Sequence, residues 1–524
     1  MEADLPSAMS GGYDGIASTP RPTRPAESLA GLVRTAAAEP HRVAVRDSTG
    51  TYTYGDLWAV ARRAADEVTD RVPAGARVGI GLEPGFLAMA AIVGVVAASC
   101  TYVPLDPRYP TARLQHIARD AELALTLAAP ESLAAAVAAG APVTSIPDGD
   151  REPGQAQLAV TGDVPAYVIY TSGTTGEPKG VEIPQAAVLY MLASCLPLLD
   201  LGPSEVWLLG HSLSFDFSVF EMWGCFATGG ALVVPRAEER RDPEALIDLL
   251  AEARVTTLCA VPGVFSHLAF EMEEEARQPL ALRRVIFGGE RLDRDAIARW
   301  RASTPAEGVA WHNLYGITET TVHATHRRLS TPDLQARTSA TPIGLPLATT
   351  QIVVLDPGGH EAPTAQVGEM YVGGPQLALG YVNDAEQTAR AFVALPERPG
   401  RWYKTGDLAY RAHDGSLWAV GRADAQVKVR GFRLELEEVD AHLRACAGIA
   451  AAAAAAVDRG RGNVLVALVV ADAGADLEPA ILNDELRSRV PEHLLPSDYR
   501  VVSRLPLTPT GKVDRRAVAA AFVS

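Results

Sequence analysis

The sequence predicts a layered α/β protein followed by a second, smaller domain. Between about residues 28 and 420, short apolar segments of strand character alternate with segments of helical periodicity, which is typical of α/β layers. After Gly421 the character changes to a short unit with a helix, a strand and a second helix. A length of 524 residues with 48% hydrophobic residues is ample for more than one core.

The expected elements follow from runs of apolar residues. In chain order, the first domain is predicted to contain a strand at 78–82, a helix at 86–98, a strand at 166–170, a helix at 243–253, strands at 255–261 and 285–287, and a helix at 292–303. The second unit is predicted to contain a helix near 437–446, a strand at 464–471 and a helix near 483–490. The segment 450–456 is seven alanines, for which intrinsic propensity alone predicts a helix. Residues 1–27 contain little that can be buried, and we expect a disordered leader there.

Composition excludes several classes of protein. A net charge of -16 argues against a nucleic-acid partner. The five cysteines are odd in number and far apart, which favours neither a disulfide framework nor a zinc site. The N-terminus lacks the pattern of a signal peptide, and the longest apolar run, 86–98, is shorter than the roughly 20 residues of a membrane helix. We therefore expect a cytoplasmic protein with no membrane and no nucleic-acid partner.

The most informative segment, residues 170–181, joins the strand at 166–170 to a turn rich in glycine and hydroxyl groups that carries Lys179. Glycines allow the backbone to approach a ligand, while amides, hydroxyls and an ammonium group face phosphate oxygens. A Walker-type loop is excluded because Lys179 is followed by Gly180 instead of Ser or Thr. The segment predicts a polyphosphate site, and a flexible turn between core elements is the alternative.

Seven further motifs occur in the remainder of the chain, and together with this segment they span about residues 28 to 518. They are Thr-Tyr-Gly-Asp-Leu at 53–57, Thr-Tyr-Val-Pro-Leu-Asp at 101–106, Phe-Asp-Phe-Ser at 215–218, Asn-Leu-Tyr-Gly-Ile-Thr-Glu at 313–319, Tyr-Lys-Thr-Gly-Asp-Leu at 403–408, the segment 421–431, and Thr-Gly-Lys-Val-Asp-Arg at 510–515. In this order they resemble the signature of adenylate-forming enzymes, the superfamily of acyl-CoA synthetases, firefly luciferase and the adenylation domains of nonribosomal peptide synthetases.

The resemblance implies a domain organisation. It predicts a large, multi-layer N-terminal domain with α/β subdomains at 28–423 and a small, mobile α+β C-terminal domain at 424–524. Asp424 is the expected hinge, across which the segment 428–431 is presented to a second reaction. It also implies a strand, and not a helix, for the alanines at 450–456.

The resemblance further implies ATP and Mg²⁺ as cofactors, because a carboxylate becomes an acyl donor by attacking the α-phosphate of ATP. Lys179 and nearby hydroxyls are expected to hold the phosphates, Glu319 the Mg²⁺, and Lys512 the charge that develops during attack. Solvated surface groups are the alternative for Glu319 and Lys512. The expected catalytic residues are Lys512, Lys179, Thr171 and Glu319.

The expected nucleotide site is built around Tyr315, which should contact adenine, and Asp407, which should accept both ribose hydroxyls. Arg422 is either a nucleotide contact or a structural ion-pair partner of Asp424. The implied nucleotide-binding residues are Thr171, Ser172, Gly173, Thr174, Thr175, Gly176, Lys179, Gly288, Gly289, Glu290, Asn313, Leu314, Tyr315, Gly316, Thr318, Asp407, Arg422 and Lys512.

Asp216 indicates which class of acid is activated. A buried carboxylate is a partner for an α-ammonium group, although an aspartate that caps a helix has the same residue type. The pocket implied by resemblance has two phenylalanines and, apart from His323, no group that carries charge opposite the substrate side chain, which favours alanine, glycine, serine or threonine. Its residues are Asp216, Phe217, Phe220, Cys259, Ile286, Gly288, Leu314, Val322, His323 and Lys512.

The function implied by the resemblance is that of a stand-alone amino acid adenylating ligase in natural-product or antibiotic biosynthesis. It would form an aminoacyl-AMP and transfer the aminoacyl group to the phosphopantetheine thiol of a separate acyl or peptidyl carrier protein. A D-alanine–carrier ligase and an acyl-CoA ligase are alternatives within the same chemistry. A nucleotide-binding regulatory protein without turnover is the alternative from another class.

Overall fold

A computed structural model describes residues 28–129, 140–147, 164–172, 178–274, 279–303, 308–423, 426–429, 431–460, 462–472, 479–507 and 513–523. The described residues confirm the mixed α/β class, with a large N-terminal part and a small C-terminal part. The predicted leader at 1–27 and the predicted hinge, Asp424, lie outside them. The boundary between 423 and 424 therefore stays a prediction.

The larger of the two main sheets has fourteen described strands. Its middle strands are parallel, so their carboxyl ends share one edge of the sheet. In spatial order the strands are β16 (Gln351–Leu355), β17 (Gly368–Gly373), β20 (Arg398–Arg411), β21 (Leu417–Arg422), β15 (Thr341–Pro346), β14 (Thr325–Arg328), β13 (Ala310–Tyr315), β12 (Arg284–Phe287), β11 (Thr257–Ala260), β9 (Val206–Leu208), β10 (Ala231–Val233), β1 (Val43–Asp47) and β2 (Gly50–Thr53), with β19 (Phe392–Leu395) paired to β20.

The second sheet has seven described strands. In spatial order they are β18 (Gly380–Tyr381), β8 (Lys179–Pro184), β7 (Pro165–Thr171), β4 (Thr101–Pro104), β3 (Arg77–Gly81), β5 (Leu125–Ala128) and β6 (Val143–Thr144). β7 and β8 form an antiparallel pair in which Thr171 lies opposite Lys179. The predicted strand at 166–170 is thus confirmed, and the phosphate segment is the connection between β7 and β8.

Helices join the two sheets. The largest apolar core contains residues of both sheets and of the intervening helices, among them nearly all of the apolar helix predicted at 86–98. Gly94 in this helix is required by close packing, since a Cβ there would lie 2.6 Å from the carbonyl oxygen of Ala61. The described helices of this part are α1 (Leu29–Ala36), α2 (Tyr54–Thr69), α3 (Phe86–Ala97), α4 (Thr111–Asp120), α5 (Gln185–Cys195), α6 (Phe217–Thr228), α7 (Ala237–Arg241), α8 (Pro243–Glu252), α9 (Pro262–Glu274), α10 (Arg294–Ser303), α11 (Thr331–Gln335) and α12 (Ala385–Ala391), with short 3₁₀ turns at Leu196–Leu198 and Thr318–Thr320.

The small part combines a hairpin, a three-stranded sheet and three described helices. The predicted helix near 483–490 begins about four residues earlier than expected. The elements are β22 (Gln426–Val429), β23 (Phe432–Glu435), α13 (Leu436–Arg444), β24 (Ile449–Asp458), β25 (Asn463–Ala471), α14 (Pro479–Arg487), a 3₁₀ turn (Glu492–Leu494), β26 (Asp498–Val501) and α15 (Arg515–Ala520).

The seven alanines form most of β24, so the helix predicted from propensity is wrong and the strand implied by the resemblance is correct. β24 pairs with β25 along its whole length. Ala452 and Ala454 belong to the core that contains α13, while Ala453 and Ala455 belong to the core that contains α15. Small side chains therefore serve helix packing on both faces of one strand, and tertiary packing outweighs helix propensity.

No described helix has both the length and the apolar character needed to cross a membrane. The described residues also contain no cluster of three or more His, Cys, Asp or Glu side chains that fits a metal ion. All five cysteines are buried free thiols.

Candidate active site

The candidate site lies where the carboxyl ends of β11, β12 and β13 meet the adjoining ends of β7 and β8, at Thr171 and Lys179. Helix α6 adds Asp216 and Phe217, β20 and β21 add Asp407 and Arg422, and the β22–β23 hairpin of the small part closes over the group. Motifs that are far apart in the chain are thereby brought together.

Asp407 is buried and contacts two side chains, one through each carboxylate oxygen. The hydroxyl of Tyr315 donates to its Oδ2 atom at 2.5 Å, and Nη1 of Arg422 lies 2.7 Å from its Oδ1 atom. The pairing of β20 with β21 sets Asp407 directly opposite Arg422. Burial, followed by the charge of Asp407, raises the pKa of Tyr315 well above its usual value, so the phenol stays protonated. Arg422 is therefore an ion-pair partner of Asp407. Asp424 lies outside the described residues, so the ion pair expected between Arg422 and Asp424 stays a prediction.

The phosphate side combines described and undescribed residues. Oγ1 of Thr171 is buried and has no hydrogen-bond partner among the described residues. The backbone N–H of Glu435 in the small part donates to Oγ of Ser172 at 3.2 Å. The other predicted residues of the turn, Gly173, Thr174, Thr175 and Gly176, lie outside the described residues, as does Lys512. Their proposed contacts stay predictions.

Lys179 and Glu319 lie close together at the edge of the phosphate side of the site. Nζ of Lys179 is 3.7 Å from Oε1 of Glu319, whose side chain is 2% exposed. Glu319 is thus no solvated loop carboxylate. Tyr381, which sequence reasoning missed, contacts both residues: its hydroxyl donates to Oε1 of Glu319 at 2.8 Å and accepts from Nζ of Lys179 at 3.3 Å. The missed contacts join residues 62 and 202 positions apart, and no local motif marks them.

Asp216 precedes α6 but does not cap it. Its own backbone is helical, and its side chain accepts no hydrogen bond from the first turn of the helix. Burial raises the pKa of the carboxyl group to about 6. A hydrogen bond from Thr318 lowers this pKa, the charge of Glu319 raises it, and the charges of His211 and Lys428 lower it. No described lysine or arginine forms an ion pair with Asp216. The helix-cap interpretation is therefore excluded.

His323 lies between two aromatic rings of the predicted pocket. Its ring centroid is 5.1 Å from that of Phe217 and 4.7 Å from that of Phe220, both in edge-on geometry. The side chain is buried, and neither ring nitrogen has a hydrogen-bond partner among the described residues. Burial lowers the pKa of His323 to about 3, so the imidazole is neutral. Nε2 of Gln376 donates to the backbone carbonyl of His323 at 2.8 Å and fixes this turn of the chain.

The remaining pocket residues lie at two depths. Val322 borders the cavity beside Asp216 and Phe217. Gly288 lies close to the pocket wall, since a Cβ there would lie 3.1 Å from the carbonyl oxygen of Leu314 and 3.2 Å from the ring of Phe217. Phe220, Cys259, Ile286 and Leu314 lie behind this surface, in the apolar core that also contains Phe217 and Val322.

Two predicted nucleotide residues make protein contacts that sequence reasoning did not foresee. Nδ2 of Asn313 donates to the carbonyl of Pro342 at 2.8 Å. Glu290 accepts from the backbone N–H of Gly263 at 2.9 Å and from that of Gly431 at 2.6 Å. Three further predicted residues border the same cavity as Asp216, namely Gly289, Gly316 and Thr318.

The β22–β23 hairpin covers the site. Nζ of Lys428 lies 5.7 Å from the ring centroid of Tyr315, and Gly431 approaches Gly289 and Glu290. Gly431 has a φ of +85°, and a Cβ there would lie 2.5 Å from Cγ1 of Val261. Both the backbone conformation and the space therefore require glycine at this contact.

Comparison with known proteins identifies this arrangement. Residues 32–382 match the AMP-binding enzyme family, and residues 438–512 match the AMP-binding enzyme C-terminal domain. The chain belongs to the AMP-binding enzyme family. The predicted membership of the adenylate-forming superfamily, in its nonribosomal peptide synthetase (NRPS) type, is thereby confirmed.

Three relatives of this AMP-binding enzyme illustrate the match. Syringomycin synthase SyrB1 from Pseudomonas syringae pv. syringae is 36% identical over 489 residues, which are 91% of this chain and 79% of that protein. A dimodular nonribosomal peptide synthase from Bacillus subtilis (strain 168) is 33% identical over 506 residues, which are 93% of this chain but 21% of that protein. The structure of holo-PA1221, an NRPS protein containing adenylation and PCP domains bound to a vinylsulfonamide inhibitor, matches with a TM-score of 0.81 and 28% identity over 94% of this chain and 83% of that one.

This AMP-binding enzyme is an ATP-dependent acid–thiol ligase with NRPS-type adenylation activity, as the sequence predicts. The chain spans only about a fifth of the length of the dimodular synthase.

Proposed function

We propose that this ligase activates a small neutral amino acid as its aminoacyl-AMP and passes the aminoacyl group to the phosphopantetheine thiol of a separate carrier protein. The observation that carries the proposal is Asp216, a buried carboxylate without a described lysine or arginine partner. A buried carboxylate that lacks an ion-pair partner is costly, and a substrate ammonium group reduces that cost.

The nucleotide part of the proposal rests on Tyr315 and Asp407. Each carboxylate oxygen of Asp407 makes one protein contact and has a second lone pair, which leaves capacity to accept from the ribose hydroxyls. The substrate carboxylate attacks the α-phosphorus of ATP, pyrophosphate leaves, and the carrier thiol then displaces AMP from the acyl carbon. Lys512 is the proposed cation for the first step.

Mg²⁺ is proposed to bind at Glu319. This ion prefers one or two carboxylates together with substrate phosphates and waters, so a single buried carboxylate beside Lys179 fits it. When bound, the ion supplies neutralising charge at the phosphate oxygens. Lys179 adds a second cation on the same side.

The side-chain pocket supports a hydroxylated substrate among the small amino acids. The two unpartnered nitrogens of His323 lie between Phe217 and Phe220. A neutral imidazole can accept from a substrate hydroxyl through one nitrogen and donate through the other. We therefore expect threonine and serine to exceed alanine and glycine.

Pyrophosphate exchange with a panel of amino acids, D forms included, tests the proposal. We expect exchange with threonine or serine, weaker exchange with alanine, and none with 3-hydroxybutyrate, which lacks the α-ammonium group. The variant His323→Leu should lower kcat/KM for the hydroxylated substrate by about 10-fold, the effect expected from the loss of one hydrogen bond. The kcat/KM for alanine should be nearly unchanged. Exchange confined to aromatic or acidic amino acids would refute the substrate class.

Acyl transfer is tested separately. Radiolabelled substrate should load onto a phosphopantetheinylated carrier protein faster than onto free CoA. Loading of CoA alone would favour the acyl-CoA ligase alternative.

A further inference from the structure

Tyr381 occupies a central place on the phosphate side, although it belongs to none of the motifs that define the site. It lies in the two-residue strand β18, which pairs with β8 so that Tyr381 is opposite Val181, two positions from Lys179. The side chain is buried, with 7% exposed. The strand register therefore directs a phenol from a distant part of the chain to the predicted phosphate and metal residues.

The phenol interacts with both charged residues. Its hydroxyl donates to Oε1 of Glu319 at 2.8 Å, accepts from Nζ of Lys179 at 3.3 Å, and lies 3.5 Å from the hydroxyl of Tyr403. Nζ of Lys179 also lies 4.3 Å from the centroid of the Tyr381 ring. A phenol hydroxyl can donate one hydrogen bond and accept another at the same time, as the contacts with Glu319 and Lys179 require.

The geometry has a consequence for Lys179 and Glu319. A lysine and a glutamate in a poorly hydrated site attract each other strongly, and a direct ion pair would turn both charges away from a ligand. Here Nζ of Lys179 and Oε1 of Glu319 remain 3.7 Å apart, and the phenol oxygen hydrogen-bonds to each. The hydroxyl thus occupies the position in which a tight ion pair would form.

We propose that Tyr381 is a positioning residue that holds Lys179 and Glu319 apart, so that the ammonium group is directed to the ATP phosphates and the carboxylate to the divalent cation. This inference rests on the proposed role of Glu319 at the metal. Tyr381 touches both charged groups and acts through them.

The test compares Tyr381→Phe with Tyr371→Phe. The control removes a hydroxyl that lies 3.4 Å from Glu369, a tyrosine–glutamate contact outside the site. Calorimetric binding of ATP is measured with Mg²⁺ and with EDTA, AMP binding serves as a reference, and the Mg²⁺ concentration for half-maximal pyrophosphate exchange is recorded. Thermal unfolding of each variant is measured alongside.

For Tyr381→Phe we expect affinity for ATP with Mg²⁺ to fall by about 10-fold, the effect of one hydrogen bond to a charged group, with AMP affinity within about twofold of the parent. The Mg²⁺ requirement should rise by a similar factor. Tyr371→Phe should change none of these values. Equal losses of ATP and AMP affinity, or identical behaviour of the two variants, would overturn the inference.

Glu319→Gln separates this inference from the proposed metal site. If Glu319→Gln leaves the Mg²⁺ requirement unchanged, the proposed metal site fails and the inference fails with it. If Glu319→Gln raises the requirement and Tyr381→Phe does not, the positioning role alone is wrong. In the double variant, removal of the hydroxyl should add no further loss, because the attraction between Lys179 and a carboxylate that the hydroxyl opposes is already absent. A Tyr381→Phe loss that is unchanged in the Glu319→Gln background would also contradict the proposal, since it would indicate a general structural role.

Discussion

The nucleotide half and the amino-acid half of the site satisfy their polar groups in different ways. Asp407 is bonded to Tyr315 and Arg422, and Glu319 is bonded to Tyr381. In the amino-acid half, Asp216 has no described lysine or arginine partner, and the nitrogens of His323 have no described partner at all. The first half is organised by protein contacts, whereas the second requires the substrate to complete its hydrogen bonds.

The variant Asp216→Asn gives the strongest test of this difference between the nucleotide half and the amino-acid half. If the substrate ammonium group completes this carboxylate, the variant should lower kcat/KM for the amino acid by about 10²- to 10⁴-fold, equivalent to breaking a buried ion pair. AMP affinity, measured by calorimetry, should stay within about twofold because the nucleotide half is independently organised. A matched loss of AMP affinity would show that the two halves are not separate.

A smaller effect is expected from Gly431→Ala, which acts on the hairpin that covers both halves. The added Cβ would clash with Val261, and the position would hold alanine in a left-handed backbone conformation. The docked hairpin should therefore be destabilised by at least about 1–2 kcal/mol. We expect transfer to a carrier thiol to fall by about 10-fold or more, with pyrophosphate exchange retained. Single-turnover loading and exchange assays measure the two steps.

Gly460→Ala is the matched control for the hairpin variant. Gly460 has a φ of +77° in the same small part, but no atom lies within 4 Å of the position of a Cβ. It therefore carries the backbone strain without the contact to Val261. Equal transfer losses in both variants would attribute the effect to strain in the small part and not to hairpin docking.

Sequence reasoning was most successful where chemistry is local in the chain. The strand before the phosphate segment, the apolar helix α3 and the residue types around Glu319 follow from contiguous patterns. The seven alanines were misassigned by propensity because neither the pairing with β25 nor the two cores is visible in a single segment. Tyr381 was missed for a similar reason, since its partners are brought to it only by sheet register and chain topology.

The relation between the two halves also predicts a pH dependence. Burial raises the pKa of Asp216 to about 6 in the ligand-free enzyme, and only the ionised carboxylate can pair with an ammonium group. As pH falls through about 6, kcat/KM for the amino acid should therefore decrease, approaching a 10-fold loss per pH unit, because the protonated fraction increases.

The pH effect is assigned to Asp216 by two reference measurements. Adenosine affinity should be flat over the same range, since adenosine lacks the phosphate group, which titrates at about pH 6, and its binding does not require the Asp216 charge. The residual activity of Asp216→Asn should lack the decrease near pH 6, because the amide does not titrate there. If the decrease persists in that variant, a group other than Asp216 titrates. The pH dependence would then no longer support the view that Asp216 needs the substrate ammonium group as its partner.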